Sequence, residues 1–360
     1  HDMDAAINTG TWPGYTPGEK DSATLNALTA ASDHLPVVAD YQIPAKMSVS
    51  VSTPPMEMIV GAAAGVDVTV SNVAPVSVAA GADELDYEMT TTGDLSGSAS
   101  GSDLADGAGQ VHAATLSTSA AGARSGQVQV ASDSQAVANG SFIETVPFVV
   151  LDPSEASLSA TGDTNVLSLD LGAFAPGSGI QSEAFGIHNL MATPGYTADL
   201  DIDGFSGSGD TAVLGTDLAA ATVAAGASEA FQALFDTSAS GLFSATWTVC
   251  VSDEDLPGAT AGADLLLELT GYVAIAGDAD FDGDVDINDL SILANAWGES
   301  GAGWGDGDFD GNGEVDLNDL SLLANNWGES VALASAAVPE PLSAALLAVG
   351  AIAILRGRRN

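Results

Sequence analysis

The sequence predicts a mostly β chain: two β-sandwiches in series, then a small α module, then a C-terminal hydrophobic helix. Three observations predict it. From Met47 to Val273, short runs alternate apolar with polar residues and break at Gly, Ser or Asp. Examples are Val66-Asp-Val-Thr-Val-Ser, Gly126-Gln-Val-Gln-Val, Leu167-Ser-Leu-Asp-Leu and Thr246-Trp-Thr-Val-Cys-Val. Period-two alternation with regular turn signals reads as antiparallel sandwich strands. Second, Leu116-Ser-Thr-Ser-Ala-Ala-Gly-Ala-Arg-Ser-Gly-Gln-Val-Gln-Val returns as Phe235-Asp-Thr-Ser-Ala-Ser-Gly-Leu-Phe-Ser-Ala-Thr-Trp-Thr-Val, an offset of 119 residues. Third, an acidic stretch beginning at Asp278 repeats thirty residues later at Asp308, each copy leading into the same helical pattern.

Charge limits the function classes. Asp and Glu number 49 against six Lys and Arg, a formal net charge of -43. Such a field repels polyanions, so this chain alone does not bind nucleic acid through phosphate electrostatics. The same acidity keeps a protein soluble and attracts cations. Cys250 is the single cysteine, so no internal disulfide forms. Its strand context reads as a buried small hydrophobe.

Residues 1–45 do not share the sandwich pattern. Here Ala31-Ser-Asp-His-Leu-Pro-Val-Val-Ala-Asp-Tyr resembles the closing strand of the endonuclease/exonuclease/phosphatase family, the fold of DNase I-like enzymes. The resemblance implies His34 as general base or transition-state stabiliser and Asp33 as part of an acidic metal cluster. It also implies a divalent metal such as magnesium for phosphodiester hydrolysis. That family's other catalytic positions lie upstream, and residues 1–45 are too few for its two-sheet core. The chain opens on His1 without an export signal. The expectation is a fragment: a phosphodiesterase or nuclease parent, with this chain by itself inactive.

The middle divides near Pro44 and Asp152-Pro153 into 46–150 and 151–275. The matching positions are Thr118 with Thr237, Gly122 with Gly241, Val130 with Val249, and Asn72 with Asn189. A repeat of about 119 residues is one immunoglobulin-like sandwich, so two are expected in tandem. Nothing in this stretch reads as a catalytic constellation. His112 and His188 are isolated and read as surface or turn residues. Asp253-Glu-Asp255 reads as a solvated acidic turn, and Trp247 as core.

Residues 276–330 carry the most specific pattern. The first copy is Asp278-Ala-Asp-Phe-Asp-Gly-Asp-Val-Asp-Ile-Asn-Asp289, and the second is Asp308-Phe-Asp-Gly-Asn-Gly-Glu-Val-Asp-Leu-Asn-Asp319. An EF-hand calcium loop needs side-chain oxygens at positions 1, 3, 5, 9 and 12, Gly at 6 and a backbone carbonyl at 7. The first loop supplies Asp278, Asp280, Asp282, Asp286 and Asp289, with Gly283 at the turn and the carbonyl of Asp284. The second supplies Asp308, Asp310, Asn312, Asp316 and Asp319, with Gly313 and the carbonyl of Glu314. Hard anionic oxygens suit calcium rather than zinc or copper, and crowded carboxylates make folding depend on the cation. Two calcium ions are therefore expected.

After the loops, Leu290, Leu293, Ala294 and Trp297 fall on one helical face, as do Leu320, Leu323, Ala324 and Trp327. Gly298 and Gly328 read as helix stops. No helix is expected before either loop. Two loop–helix repeats without an entering helix, with Asp at position 12, resemble a type I dockerin domain. That resemblance implies a cohesin-like or other surface-protein partner, contacted around positions 10–12 and the following helix. Positions 10 and 11 are Ile287-Asn288 and Leu317-Asn318, not the Ser-Thr pair of cellulosomal dockerins, which puts a cellulosomal cohesin in doubt.

The tail, 331–360, reads Val338-Pro339-Glu340-Pro341, then an uncharged run from Leu342 to Leu355, then Arg356-Gly-Arg358-Arg359-Asn360. An apolar run closed by Arg is a membrane stop, and it is short of the ~20 residues of a full helical span. It resembles the PEP-CTERM sorting signal of Gram-negative bacteria. The resemblance implies export, transient anchoring by the C-terminal helix, recognition by an exosortase and display at the cell surface. The resulting expectation is the end of a secreted, surface-sorted protein with a calcium-dependent docking module. The alternatives are a non-enzymatic adhesion or scaffold protein, and a dockerin-linked polysaccharide-degrading component.

Overall fold

The computed structural model describes residues 42–331. Asp33 and His34, and the tail from Val338 to Arg359 with its expected apolar helix, lie outside the described residues. The described chain is mostly β, as expected. Among its residues no helix is long and apolar enough to cross a membrane.

Nine strands build the first sandwich: β1 Met47–Val51, β2 Glu57–Ile59, β3 Gly65–Asn72, β4 Leu85–Gly93, β5 Leu95–Ser96, β6 Ser98–Asp103, β7 Gln110–Leu116, β8 Gly122–Ser132 and β9 Ser141–Leu151. Nine more build the second: β10 Ala156–Ser157, β11 Val166–Phe174, β12 Ile180–Asn189, β13 Leu200–Gly209, β14 Leu214–Thr216, β15 Ala221–Val223, β16 Ser228–Asp236, β17 Gly241–Asp253 and β18 Leu265–Val273. The sheets run β1-β3-β7-β5 and β2-β9-β8-β4-β6, then β10-β12-β16-β14 and β11-β18-β17-β13-β15. Raising every strand number of the first sandwich by nine reproduces the second. This is the strand order of an immunoglobulin-like sandwich. The pairing is not wholly antiparallel as expected, because β2 runs parallel to β9 and β11 parallel to β18.

The alternating runs do what period two requires. In β3, Val66, Val68 and Val70 turn inward against Leu85, Tyr87 and Met89 of β4 and Val128 and Val130 of β8, all buried. In the second sandwich Leu265, Leu267 and Leu269 of β18 meet Val249 and Val251 of β17 and Ile202 of β13. Trp247 packs against this core and donates its indole N–H to the Leu214 carbonyl at 3.0 Å.

The matched Asn and Thr residues turn out to be the sandwiches' polar staples. Asn72 Oδ1 accepts from the Lys46 N–H at 3.1 Å, while its Nδ2 donates to the carbonyls of Asp83 and Asp103 at 2.9 and 3.3 Å. Asn189 Oδ1 accepts from the Glu155 N–H at 3.1 Å, while its Nδ2 donates to the carbonyls of Ala198 and Val223 at 2.9 and 3.1 Å. Buried Thr118 and Thr237 donate to the carbonyls of Ala62 and Gly179. The repeat in sequence is therefore a repeat of buried hydrogen bonds, which are costly to leave unmade.

Several expectations are corrected. Cys250 is exposed; Val249 and Val251 face inward, so strand parity turns the residue between them outward. His112 and His188 sit on β7 and β12 rather than in turns, and His112 Nε2 lies 2.8 Å from the Tyr87 hydroxyl. Asp253 is not a solvated turn residue. It is buried and accepts from the N–H and hydroxyl of both Ser154 and Thr260, at 2.7 to 3.1 Å.

The two sandwiches touch. Ile59 and Leu151 of the first pack on Ala198 of the second, flanked by Tyr196 and Leu256. The Ile59 N–H donates to the Pro257 carbonyl at 2.9 Å, and the Asp152 N–H to Tyr196 at 2.8 Å. Gly258 holds a φ of 95°, and a Cβ there would lie 2.8 Å from the Ala62 Cβ. Glycine is therefore required at this contact.

Candidate metal centre

The second sandwich ends at Val273, and the first acidic loop begins five residues later. Helix α1 spans Ile287–Asn295 and helix α2 Leu317–Asn325. No α-helix precedes either loop: β18 leads into the first, and a single 3-10 turn, Trp304–Asp306, into the second. Both helices start inside the loop, at position 10, earlier than the pattern from Leu290 and Leu320 indicates. The cause is capping. Asp286 accepts from the Asn288 N–H as N-cap while Asp289 accepts from the Asp286 N–H, and Asp316 and Asp319 repeat the arrangement.

The two repeats clasp each other. Position 8 of each loop, Val285 and Val315, is fully buried and pairs with the strand-like segment after the other helix. The Val285 N–H donates to Glu329 at 3.0 Å and the Val315 N–H to Glu299 at 3.2 Å. Gly298 and Gly328, left-handed at φ 80° and 83°, return their N–H groups to Val315 and Val285. Leu293 and Leu323 fill the shared core with Phe309 and Ala279. Ala294 and Ala324 are exposed rather than core-facing, and Ala296 takes the buried place after α1. Trp297 and Trp327 remain 50% and 49% exposed.

Within this frame the acidic side chains converge. Carboxylate oxygens of Asp278, Asp280 and Asp282 lie within 4.8 Å of one another, as do those of Asp284, Asp286 and Asp289, and those of Asp308, Asp310 and Asp319. Asn312 Oδ1 accepts from the Glu314 N–H at 2.8 Å, which holds it in the second loop. The carboxylates of Glu314 and Asp316 do not join the second group. Asp289 and Asp319, both fully buried, accept from the N–H groups at positions 2, 3 and 9 of their loops. Gly283 and Gly313 make the position-6 turn at φ 92° and 87°.

These residues could hold a metal ion. Asp278 is 0% exposed, yet its Oδ1 has no hydrogen-bond partner, and Oδ1 of Asp284 is likewise buried and unpartnered. A buried carboxylate oxygen without a donor is costly, and a cation removes that cost. Asp280 is pushed up to about 6, first by lost hydration and then by the charges of Asp282 and Asp289. Asp278 is raised chiefly by burial.

The sign of the pH effect follows. Without cation the folded loop holds protons that the unfolded chain has already released. Stability of the cation-free module therefore falls as pH rises through the window from about 4 to about 6. A cation bound there would have to displace those protons, so its affinity is expected to fall on acidification through the same window. Calcium titrations at pH 7.5 and pH 5 are expected to show weaker binding at the lower pH; equal affinities would contradict the assignment.

Sequence reasoning missed two features. Gly277 and Gly307, just before each loop, have φ of 107° and 99°; a Cβ would come within 3.0 Å of Leu323 and 2.8 Å of Leu293, the opposite helix in each case. The signal was present as Gly-Asp at the start of both copies. The other is Tyr272, whose hydroxyl donates to Asp278 Oδ2 at 2.5 Å. Burial, then this bond, pushes the phenol well above its ordinary range. Nothing in the loop pattern points to it, because it belongs to β18.

No protein-family model and no curated protein matches the chain. Among solved structures, the PapD-like domain 7 of human CEP192 aligns at 13% identity and TM-score 0.24, covering 30% of this chain and 80% of that one. A CARDB domain from Pyrococcus furiosus aligns at 14% and 0.24, covering 31% and 95%. The D00-D0 domain of intimin aligns at 10% and 0.25, covering 61% and 98%. Similarity at this level carries no argument about function.

Proposed function

We propose that residues 276–330 form a dockerin-like docking module folded by two calcium ions, carried on an arm of two sandwiches in an exported, surface-sorted bacterial protein. The observation that carries this is the convergence of loop carboxylates in both repeats, with a buried, unpartnered Asp278 oxygen in the first. Asp278, Asp280, Asp282, Asp286 and Asp289 would hold the first ion. Asp308, Asp310, Asn312, Asp316 and Asp319 would hold the second. Calcium here supplies structure: it neutralises the carboxylates and lets the small core close.

The docking role draws on the module's surface. Ile287 and Leu317, at position 10 of the two loops, are 59% and 67% exposed. With the half-exposed tryptophans they give the repeats matching apolar contact points, suited to a cohesin-like or other surface-protein partner. The test is calcium calorimetry on the chain, followed by partner capture from native surface protein with calcium and with chelator. A chain that takes up no calcium, or that captures the same partner in chelator, ends this reading.

Sorting rests on the Val338-Pro339-Glu340-Pro341 motif, the apolar run and the Arg end. Intact-mass analysis of protein from the native host is expected to find chains that stop near that motif. Recovery of chains still ending in Arg356 to Arg359 would point to a plain anchor.

A further inference from the structure

We propose that Tyr272, on the last strand of the second sandwich, is a positioning residue that makes the first calcium loop unlike the second and makes cation binding there register in the sandwich. This rests on the calcium reading of the loops and adds a residue outside both repeats. The motivating observation is an asymmetry between loops that carry Asp alike at positions 1, 3, 9 and 12. In the second loop, N–H groups of Gly311, Asn312 and Gly313 engage both oxygens of Asp308, at 3.0, 3.1 and 2.8 Å. In the first, Asp278 Oδ2 accepts from Gly283 N–H at 3.2 Å and from the Tyr272 hydroxyl at 2.5 Å, and Oδ1 accepts from nothing. The Tyr272 oxygen also accepts from the Ile275 N–H at 3.3 Å, and the ring is buried, so the phenol is fixed before any cation arrives. Trp304 adds a bond from its indole N–H to the Asp278 carbonyl at 2.7 Å.

A second feature lies at the same junction. Phe281, at loop position 4, has a φ of 59°, where the second loop places Gly311 at 72°. A left-handed non-glycine residue is strained and persists where its surroundings hold it. Phe281 shares a cleft with Leu242, Phe243 and Tyr272 of the second sandwich. Tyr272 thus decides which oxygen of Asp278 faces the ligand position, and Phe281 lines the cleft between the loop and the strands. Removing an outer-shell partner of a metal ligand typically weakens affinity by about 10–100-fold.

The test uses the full chain, with calcium calorimetry and hydrogen exchange of the peptide covering Leu265–Val273. Wild type is expected to show two binding events and calcium-dependent protection of that peptide. Tyr272→Phe is expected to weaken one event by about 10-fold or more, leave the other unchanged, and lose the protection. Asp280→Ala should also lose it, while Asp310→Ala keeps it. Two unshifted events in Tyr272→Phe, or protection that follows Asp310 instead of Asp280, overturns the proposal. If Tyr272→Phe does not fold, the Asp280→Ala and Asp310→Ala pair decides. A wild-type chain with no binding event overturns the calcium reading itself, an outcome distinct from two events that ignore Tyr272.

Discussion

Calcium titrated into the chain is expected to give two binding events, and Asp282→Ala to leave one. Each loop brings carboxylate oxygens to within 4.8 Å of one another. A core built on Val285, Leu293, Phe309, Val315 and Leu323 is too small to bear that repulsion and the buried, unpartnered Asp278 oxygen alone. Metal binding and folding are then one process. Chelator should remove the circular dichroism of α1 and α2 while the strand signal remains, because the cores of the two sandwiches contain no acidic cluster. Loss of the strand signal together with calcium would mean that the sandwiches need the metal for their own fold. Full helicity in chelator would mean that the loops need no cation.

Asn189→Ala is expected to destabilise the second sandwich by on the order of 3 kcal/mol, since it strands several buried polar groups at once. The Glu155 N–H and the carbonyls of Ala198 and Val223 all lose their partner. Asn72→Ala should do the same to the first sandwich, where Lys46, Asp83 and Asp103 lose theirs. Urea unfolding followed by hydrogen exchange in each sandwich reads the two separately. A change below about 1 kcal/mol would mean that water replaces the side chain without cost. If either variant weakened both sandwiches equally, the contact through Ile59, Leu151 and Ala198 would be strong enough to make them one cooperative unit.

Much of this was legible in the chain itself. Alternation placed Val66, Val68 and Val70 on one face because side chains alternate along a strand whatever the surroundings. The offset of about 119 residues separated the two sandwiches because the Thr118 and Gly122 positions recur with it. Loop spacing brought Asp278, Asp280 and Asp282 together because ligands two apart on one tight loop need no distant partner. Other readings failed where local pattern is silent. Cys250 lies in an apolar run, and its outward face follows from the register of β17. Asp253 looks like part of an exposed acidic turn until Ser154 and Thr260, distant or across a turn, close around it. The start of each helix at position 10 depended on Asp286 and Asp316 doubling as caps.

The sequence by itself determined the repeats: two sandwiches of one strand pattern, and two loops with oxygen-bearing side chains at the same spacing. It also carried the expectation that the acidic loops bind a cation. Only the tertiary structure decided that the two loops are not equivalent. Asp278 meets a tyrosine from the neighbouring sandwich, whereas Asp308 meets only its own backbone. The physical reason is that ligand spacing is local, while the partners completing a buried carboxylate's hydrogen bonds come from whatever the fold packs against it.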